Sequence, residues 1–273
     1  MSKFVLACGW LATVLLAHST LCQASEDYFL EVGAGLVAGQ IPEYPGSAQA
    51  RGFVLPFPYI DYRDDKLTID RQAIKGELFD SGQFRISLSA SGTIPVDNDE
   101  GKARDGMPEL GWVGELGPSL IYDLNRNWQV KWQVRKATSW RSGKLVNVGW
   151  RSELGIGWQQ DISSVVGFGK MALQSELSLN FADHRYHQFY YGVEQQYVTA
   201  DRHYWQARSG VSYTRLSLGL TWRYQQLWLG LYAKYDSFEG AANRQSSLLA
   251  VSHQSGFGLA VAWIFLTHDG GKE

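Results

Sequence analysis

Two short clusters in this chain hold residue types that can do chemistry. Asp183, His184 and His187 sit close together, as do Ser252, His253 and Ser255. Between them they offer a nucleophile, a base and an acid, the set with which a hydrolase at a membrane surface cleaves an ester. No nucleophile-elbow pattern surrounds either serine, so each of the six reads more simply as a solvated loop group. Asp183-His184-x-x-His187 has the residue types for a metal, but in a loop that spacing sets no common face, and a surface role is the plainer reading. Gly33-x-Gly35 with Gly39 is not a dinucleotide fingerprint, because the glycines lie in a strand pattern and no helix or acidic partner follows. In a strand they let the chain bend and pack closely. The expectation is a protein without catalytic residues, metal or cofactor.

A second group of charges belongs to strands. Arg85, Glu115, Lys131, Arg135, Arg151, Glu153 and Glu176 each occupy the polar side of an alternating segment. They could tune a selective pore, or they could pair with one another and fill a narrow barrel. The second reading is preferred, since an unpaired buried charge costs several kcal/mol. Pro42-Glu43-Tyr44-Pro45-Gly46-Ser47 stands apart: two prolines and a tyrosine fix a short shape that a partner or a neighbouring loop could read, and a structural turn is its simplest use.

These residues must be positioned by strands. The alternation has period two, in segments of about ten residues. Phe84, Ile86, Leu88 and Ala90 alternate with Arg85, Ser87, Ser89 and Ser91; Trp128, Val130, Trp132 and Val134 alternate with Gln129, Lys131, Gln133 and Arg135. Similar runs follow at 146–159, 170–181 and 258–265. Segments of this length are near the ~9 to 11 residues needed to cross a bilayer. Tyr122, Trp128, Trp140, Trp158, Tyr224 and Phe265 fall near segment ends, where aromatic girdles meet the membrane interfaces. The pattern therefore predicts an all-β fold, an antiparallel transmembrane barrel of the outer membrane, rather than a soluble β-protein.

Segments begin near Tyr28, Gly52, Lys66, Gln83, Gly111, Asn127, Leu145, Lys170, Tyr204, Arg215, Leu227 and Gly256, which makes twelve. Ten is the alternative, because the apolar parity switches at Tyr213 to Arg215 without a turn residue, as in a β-bulge. The longest connections, near Val96–Pro108, Asp183–His203 and Phe238–Ser255, should share one side, yet this count puts the third opposite the others.

Composition agrees with export and with lipid. The 273 residues are 45% hydrophobic and 14% aromatic, and 25 basic against 27 acidic groups leave no footprint for nucleic acid. Lys3, the apolar run Phe4–Leu16 and small residues before Ala24 read as a signal peptide, residues 1–24, cut after Ala24. Both cysteines, Cys8 and Cys22, lie in that segment, so the single mature domain, residues 25–273, has no thiol chemistry or disulfide.

Gly33-Ala34-Gly35, Pro42 to Ser47, and Leu55-Pro56-Phe57-Pro58-Tyr59-Ile60-Asp61-Tyr62-Arg63 together resemble the opening of the MipA/OmpV family of outer-membrane proteins. Gly117-Pro118-Ser119-Leu120 with Tyr122, Tyr190-Tyr191-Gly192-Val193, and Tyr204 through Gly210 extend the likeness along the chain. The chain departs from the family pattern at Ser247-Leu248-Leu249, where Ser-Pro-Leu is common, and in the tail 266–273 beyond Phe265. The resemblance implies a scaffold in the outer membrane of a Gram-negative bacterium. Its expected partners are outer-membrane lipid, a lytic transglycosylase and a penicillin-binding peptidoglycan synthase. Other members are described as adhesins or osmoregulated surface proteins, and a small-solute pore is a further alternative.

Overall fold

The computed structural model describes residues 28–63, 67–69, 74–93, 103–141 and 143–270. The segment expected from the sequence to be a signal peptide, residues 1–24, with Cys8 and Cys22, lies outside them. Among the described residues, twelve antiparallel strands close into a barrel in which each strand pairs with its neighbours in sequence and β1 closes on β12. They are β1 (Phe29–Pro42), β2 (Ala50–Arg63), β3 (Leu67–Ile69), β4 (Ile74–Asp80), β5 (Phe84–Thr93) and β6 (Trp112–Asp123). Then follow β7 (Trp128–Arg141), β8 (Lys144–Asp161), β9 (Lys170–Ala182), β10 (Gly210–Tyr224), β11 (Leu227–Ser237) and β12 (His253–Asp269).

The expected number of strands holds, but two of the expected boundaries do not. The segment beginning at Tyr204 is not a strand of its own: β10 is continuous from Gly210 to Tyr224, and Ser212 is an extra residue in its pairing with β9. That bulge is the physical cause of the parity switch near Tyr213, since one unpaired residue turns every later side chain to the other face. The strand missing from the sequence-based count is β4, which pairs with both β3 and β5. With these corrections the sidedness conflict disappears. Connections 43–49, 94–111, 183–209 and 238–252 all leave the same end, and the other end carries short turns such as 81–83, 124–127 and 225–226. Long loops mark the extracellular side of such barrels and short turns the periplasmic side. Strand β12 also runs past Phe265, with Leu266 to Asp269 paired to Val32 to Phe29.

The outer wall is apolar and unburied by protein. Leu36, Val54, Leu116, Trp132, Leu154, Leu177, Leu218, Leu231 and Phe257 are all exposed. Such a belt is far larger than the apolar patches a soluble surface tolerates, and lipid is the solvent that accepts it. No helix among the described residues is long and apolar enough to cross a membrane. Replacing Leu177 or Leu218 by Arg should cost about 2–4 kcal/mol near the midplane. Arg in place of the lumen-facing Gln174 should cost clearly less. Urea titration of the barrel refolded in lipid vesicles reads both, and equal losses would point to protein rather than lipid outside the wall.

Candidate functional site

The largest buried cluster lies at the loop-bearing mouth. Tyr44 comes from the β1–β2 loop, Leu110 from the β5–β6 loop, Phe238 and Leu249 from the β11–β12 loop, and Tyr186, Tyr190 and Tyr191 from the β9–β10 loop. They pack with Val113, Ala137, Val148, Ala182 and Tyr213 of the strands. Loops that start on opposite sides of the barrel meet in one cluster, so they form a plug across its mouth.

The plug is built on an eight-residue helix, His184–Tyr191, in a segment where sequence reasoning expects a loop. Asp183 caps it, its side chain accepting from the backbone N–H of Tyr186 at 2.8 Å. A capping aspartate followed by Tyr186, Tyr190 and Tyr191 at one-turn spacing is the sequence signal that could have revealed it. Gly149 of β8 takes φ 119°, and a Cβ there would lie 2.3 Å from the Asp183 carboxylate, so only glycine lets the helix N-terminus come this close.

His187 is fully buried on this helix. Its Nδ1 meets the Arg208 carbonyl at 2.5 Å and its Nε2 meets Ser212 Oγ at 2.7 Å. A Ser–His pair exists, therefore, but it is sealed in the plug. His184 faces outward. His253 stacks on Tyr235 and pairs with Glu239 at 3.4 Å, and Ser252 accepts from Arg244 at 2.6 Å. The structure does not bring the candidates for ester chemistry together: His187 bonds Ser212, a serine outside that set, while Ser252 and His253 are held by Arg244, Tyr235 and Glu239.

Pro42 to Ser47 is knitted into the same plug. Tyr44 donates to the Leu248 carbonyl at 2.9 Å, while Gln254 donates to the carbonyls of Tyr44 and Ser47 and accepts from the Gly46 N–H. Tyr44 and Ser47 are buried, and Pro42 and Pro45 are half-buried. Arg104 donates to the Tyr190 carbonyl at 3.0 Å and lies over the Tyr44 ring. Burial pushes the Tyr44 hydroxyl up to about 12, opposed by the Arg104 charge, and lowers Arg104 to about 10.

Beneath the plug, the strand charges form a ladder. Arg135 and Arg151 are direct cross-strand neighbours, a repulsive placement on its own. Arg151 donates to Glu115 at 3.1 Å, to Glu153 at 2.7 Å and to Asn180 at 2.9 Å. Arg135 donates to Ser89 and to Gln133 and lies 3.9 Å and 3.8 Å from Glu115 and Glu153. Lys131 pairs with Glu176, and Arg85 with Asp123 at 2.9 Å. The structure therefore gives every charge singled out from the sequence a partner. It adds partners not foreseen as such, Asn180 and Asp123, and a further ion pair, Arg215–Asp236 at 2.6 Å. The second oxygen of Glu115 accepts from Tyr186 at 3.0 Å, so the ladder holds the plug.

A closed, twelve-stranded barrel with an apolar belt, an ion-paired lumen and a self-plugged mouth is an outer-membrane β-barrel protein. The chain belongs to the family described as MltA-interacting protein MipA, whose model matches residues 34–265. Solved structures with some likeness include an outer membrane channel from Pseudomonas putida F1, 9% identical over 92% of this chain and 100% of that one, with a TM-score of 0.37. A bacterial polysaccharide outer membrane secretin is 10% identical over 89% and 100%, at 0.38. The outer membrane protease OmpT from Escherichia coli is 7% identical over 90% and 99%, at 0.27. No curated protein sequence matches the chain.

Two outcomes follow for the plug. Truncating Glu115 to Ala leaves Arg135 and Arg151 to share the one carboxylate of Glu153 and frees Tyr186, and should destabilise the barrel by about 3–5 kcal/mol; Tyr186→Phe, which removes one bond, should cost about 1–3 kcal/mol. Denaturant unfolding of the two variants ranks them. Burial also holds the His187 imidazole below its ordinary value, against the hydrogen bond to Arg208 and the charge of Asp183. A depressed histidine stabilises the folded plug above its unfolded value and loses that contribution as pH falls through the folded one. Hydrogen exchange at 184–191 should therefore accelerate as pH drops below about 6.5, after correction for intrinsic rates. In His187→Gln that dependence should vanish.

Proposed function

We propose that the chain is a non-conducting outer-membrane scaffold that docks a lytic transglycosylase, and through it a penicillin-binding peptidoglycan synthase, on its periplasmic end. The observation that carries this reading is the occupied lumen. A plug of interlocked loops crosses the mouth, over a ladder of paired charges, and blocks the route a solute would take, which leaves the outer ends of the barrel for work. Family membership supports the partner, since the family is named for interaction with MltA.

The periplasmic end offers apolar surface that lipid does not explain. Val165, in the one-turn helix Ser163–Val166, is 82% exposed, and Leu124 of the β6–β7 turn is 49% exposed. Phe168 is exposed too, but it packs edge-on against Trp222 and Tyr224 of the outer wall and belongs with the girdle. Val165 and Leu124 lie in turns at the end that faces peptidoglycan, and apolar anchors of this kind concentrate binding energy in interfaces.

Affinity capture in mild detergent should recover a lytic transglycosylase with the wild-type chain. A Val165→Glu, Leu124→Glu double variant should recover about tenfold less, the equivalent of roughly 1.4 kcal/mol, while keeping heat-modifiable migration on gels. Substitutions in the extracellular loop tips should leave capture unchanged. Robust single-channel conductance with no cell-wall enzyme captured would replace the scaffold by a pore.

A further inference from the structure

The lumen has two unlike walls. On β5 to β9 it is polar, carrying Ser87, Ser89, Gln133, Arg135, Glu153, Ser178 and Asn180. In the middle rows of β1, β2, β11 and β12 it is made largely of glycine, alanine and aromatic residues. Register partners Gly219, Tyr232, Gly258, Gly39 and Phe53 form one continuous lumen-facing row. A cavity of 880 Å³ lies along this row, touching each of these residues and its flanking backbone. Its size is in the range of about 300–1,000 Å³ that small-molecule sites occupy. Glycine at 39, 219 and 258 is what makes the space, because any larger side chain at the latter two would project into it.

Beyond the residues that line the cavity, the same strands carry an apolar cluster on one side and a charge on the other. Two rows toward the periplasm, Trp228 packs against Tyr59, with ring centroids 5.7 Å apart, and Ala262 and Ile264 complete the cluster. One row toward the mouth is Lys234, paired in register with Ser217 and Gly256. Its stem lies so close over Gly256 that an added Cβ would stand 2.9 Å from its Cε. The neighbouring carboxylates are already taken, Asp236 by Arg215 and Glu176 by Lys131. Among the described residues, the Lys234 ammonium has no hydrogen-bond or ion-pair partner. A half-buried ammonium without a partner, one row beyond an apolar cavity, calls for an anion carried on an apolar body.

We propose that this cavity is a binding site for an amphiphilic carboxylate, with the alkyl chain along the Gly39–Phe53–Gly219–Tyr232–Gly258 row and the carboxylate on Lys234. The site is independent of the periplasmic docking surface, so each can fail without the other.

The test is calorimetric titration of the full barrel in phosphatidylcholine nanodiscs with decanoate and with decanol, empty nanodiscs being subtracted. Decanoate should bind saturably to the wild type. Lys234→Met should weaken decanoate about tenfold and leave decanol within about twofold, which a merely structural lysine would not do. Gly258→Trp should abolish saturable binding of both, and since a Cβ at 258 meets only the Ala38 carbonyl at 3.4 Å, the backbone tolerates the change. Gly219→Phe serves as the second filling variant if the first does not give a heat-modifiable barrel. Capture of the transglycosylase should be the same for Lys234→Met and wild type. Absence of saturable decanoate binding, equal weakening of acid and alcohol by Lys234→Met, or full binding in a properly folded filled variant each overturns the proposal.

Discussion

The carboxylate of Glu115 is the point on which the molecule's interior depends. One oxygen takes the Arg151 guanidinium and the other the Tyr186 hydroxyl, so a single side chain of β6 joins the charge ladder of the wall to the helix that fills the mouth. Without it, Arg135 and Arg151 would face each other across β7 and β8 with only Glu153 between them. Burying charge in this way is costly, and the cost is offset only because each partner is held by several others. The arrangement behaves as a unit: the ladder cannot relax without disturbing the plug, nor the plug without leaving a carboxylate oxygen unmet.

This places the hydrophobic core in an unusual position. In a soluble domain apolar residues converge on the centre, whereas here the long apolar side chains of the strands turn to lipid and the centre is polar on one side and sparsely filled on the other. The dense packing that a protein interior requires is concentrated at the extracellular mouth, in tyrosines drawn from loops. Tyrosine suits the position, having a large apolar ring and a hydroxyl that can reach a polar lumen below. Two bulges supply further groups at the same level: Val148 in β8 and Ser212 in β10 are extra residues in their ladders, and both are buried against the plug.

Much of this was legible from residue order. The period-two pattern of Trp128 to Arg135 and of Lys170 to Phe181 requires strands with one apolar face, and their length requires a membrane. Mixed signs at Arg135, Arg151, Glu153 and Glu176 are what a paired ladder looks like before its geometry is known. Other features were hidden for definite reasons. Strand β4 carries Lys75, Glu77 and Asp80 in seven residues, and so lacks a clean apolar face. The bulge at Ser212 imitates a boundary, because parity reports only which face a side chain takes and not whether the chain has turned. The helix His184–Tyr191 is too short for its period to stand out, and what stabilises it, a cap and tertiary burial, is not local composition. Lys234 could not be distinguished from any other lumen charge, because being unpaired is a property of neighbours far along the chain.

The bulge in β10 bears on how this protein can change over generations. Pairing with β9 fixes the lower strand so that Leu216, Leu218 and Leu220 reach lipid, while the residues above Ser212 are fixed by the loop they enter. The two halves of the strand are out of phase by one residue, and Ser212 absorbs the difference. Loss of that one codon would force one half to present its wrong face, whereas a change of two codons would preserve phase and alter only length. Reading frames aside, this wall has an arithmetic of its own: length can drift in steps of two, and the odd residue is the one that lineage after lineage must keep or compensate on the strand beside it.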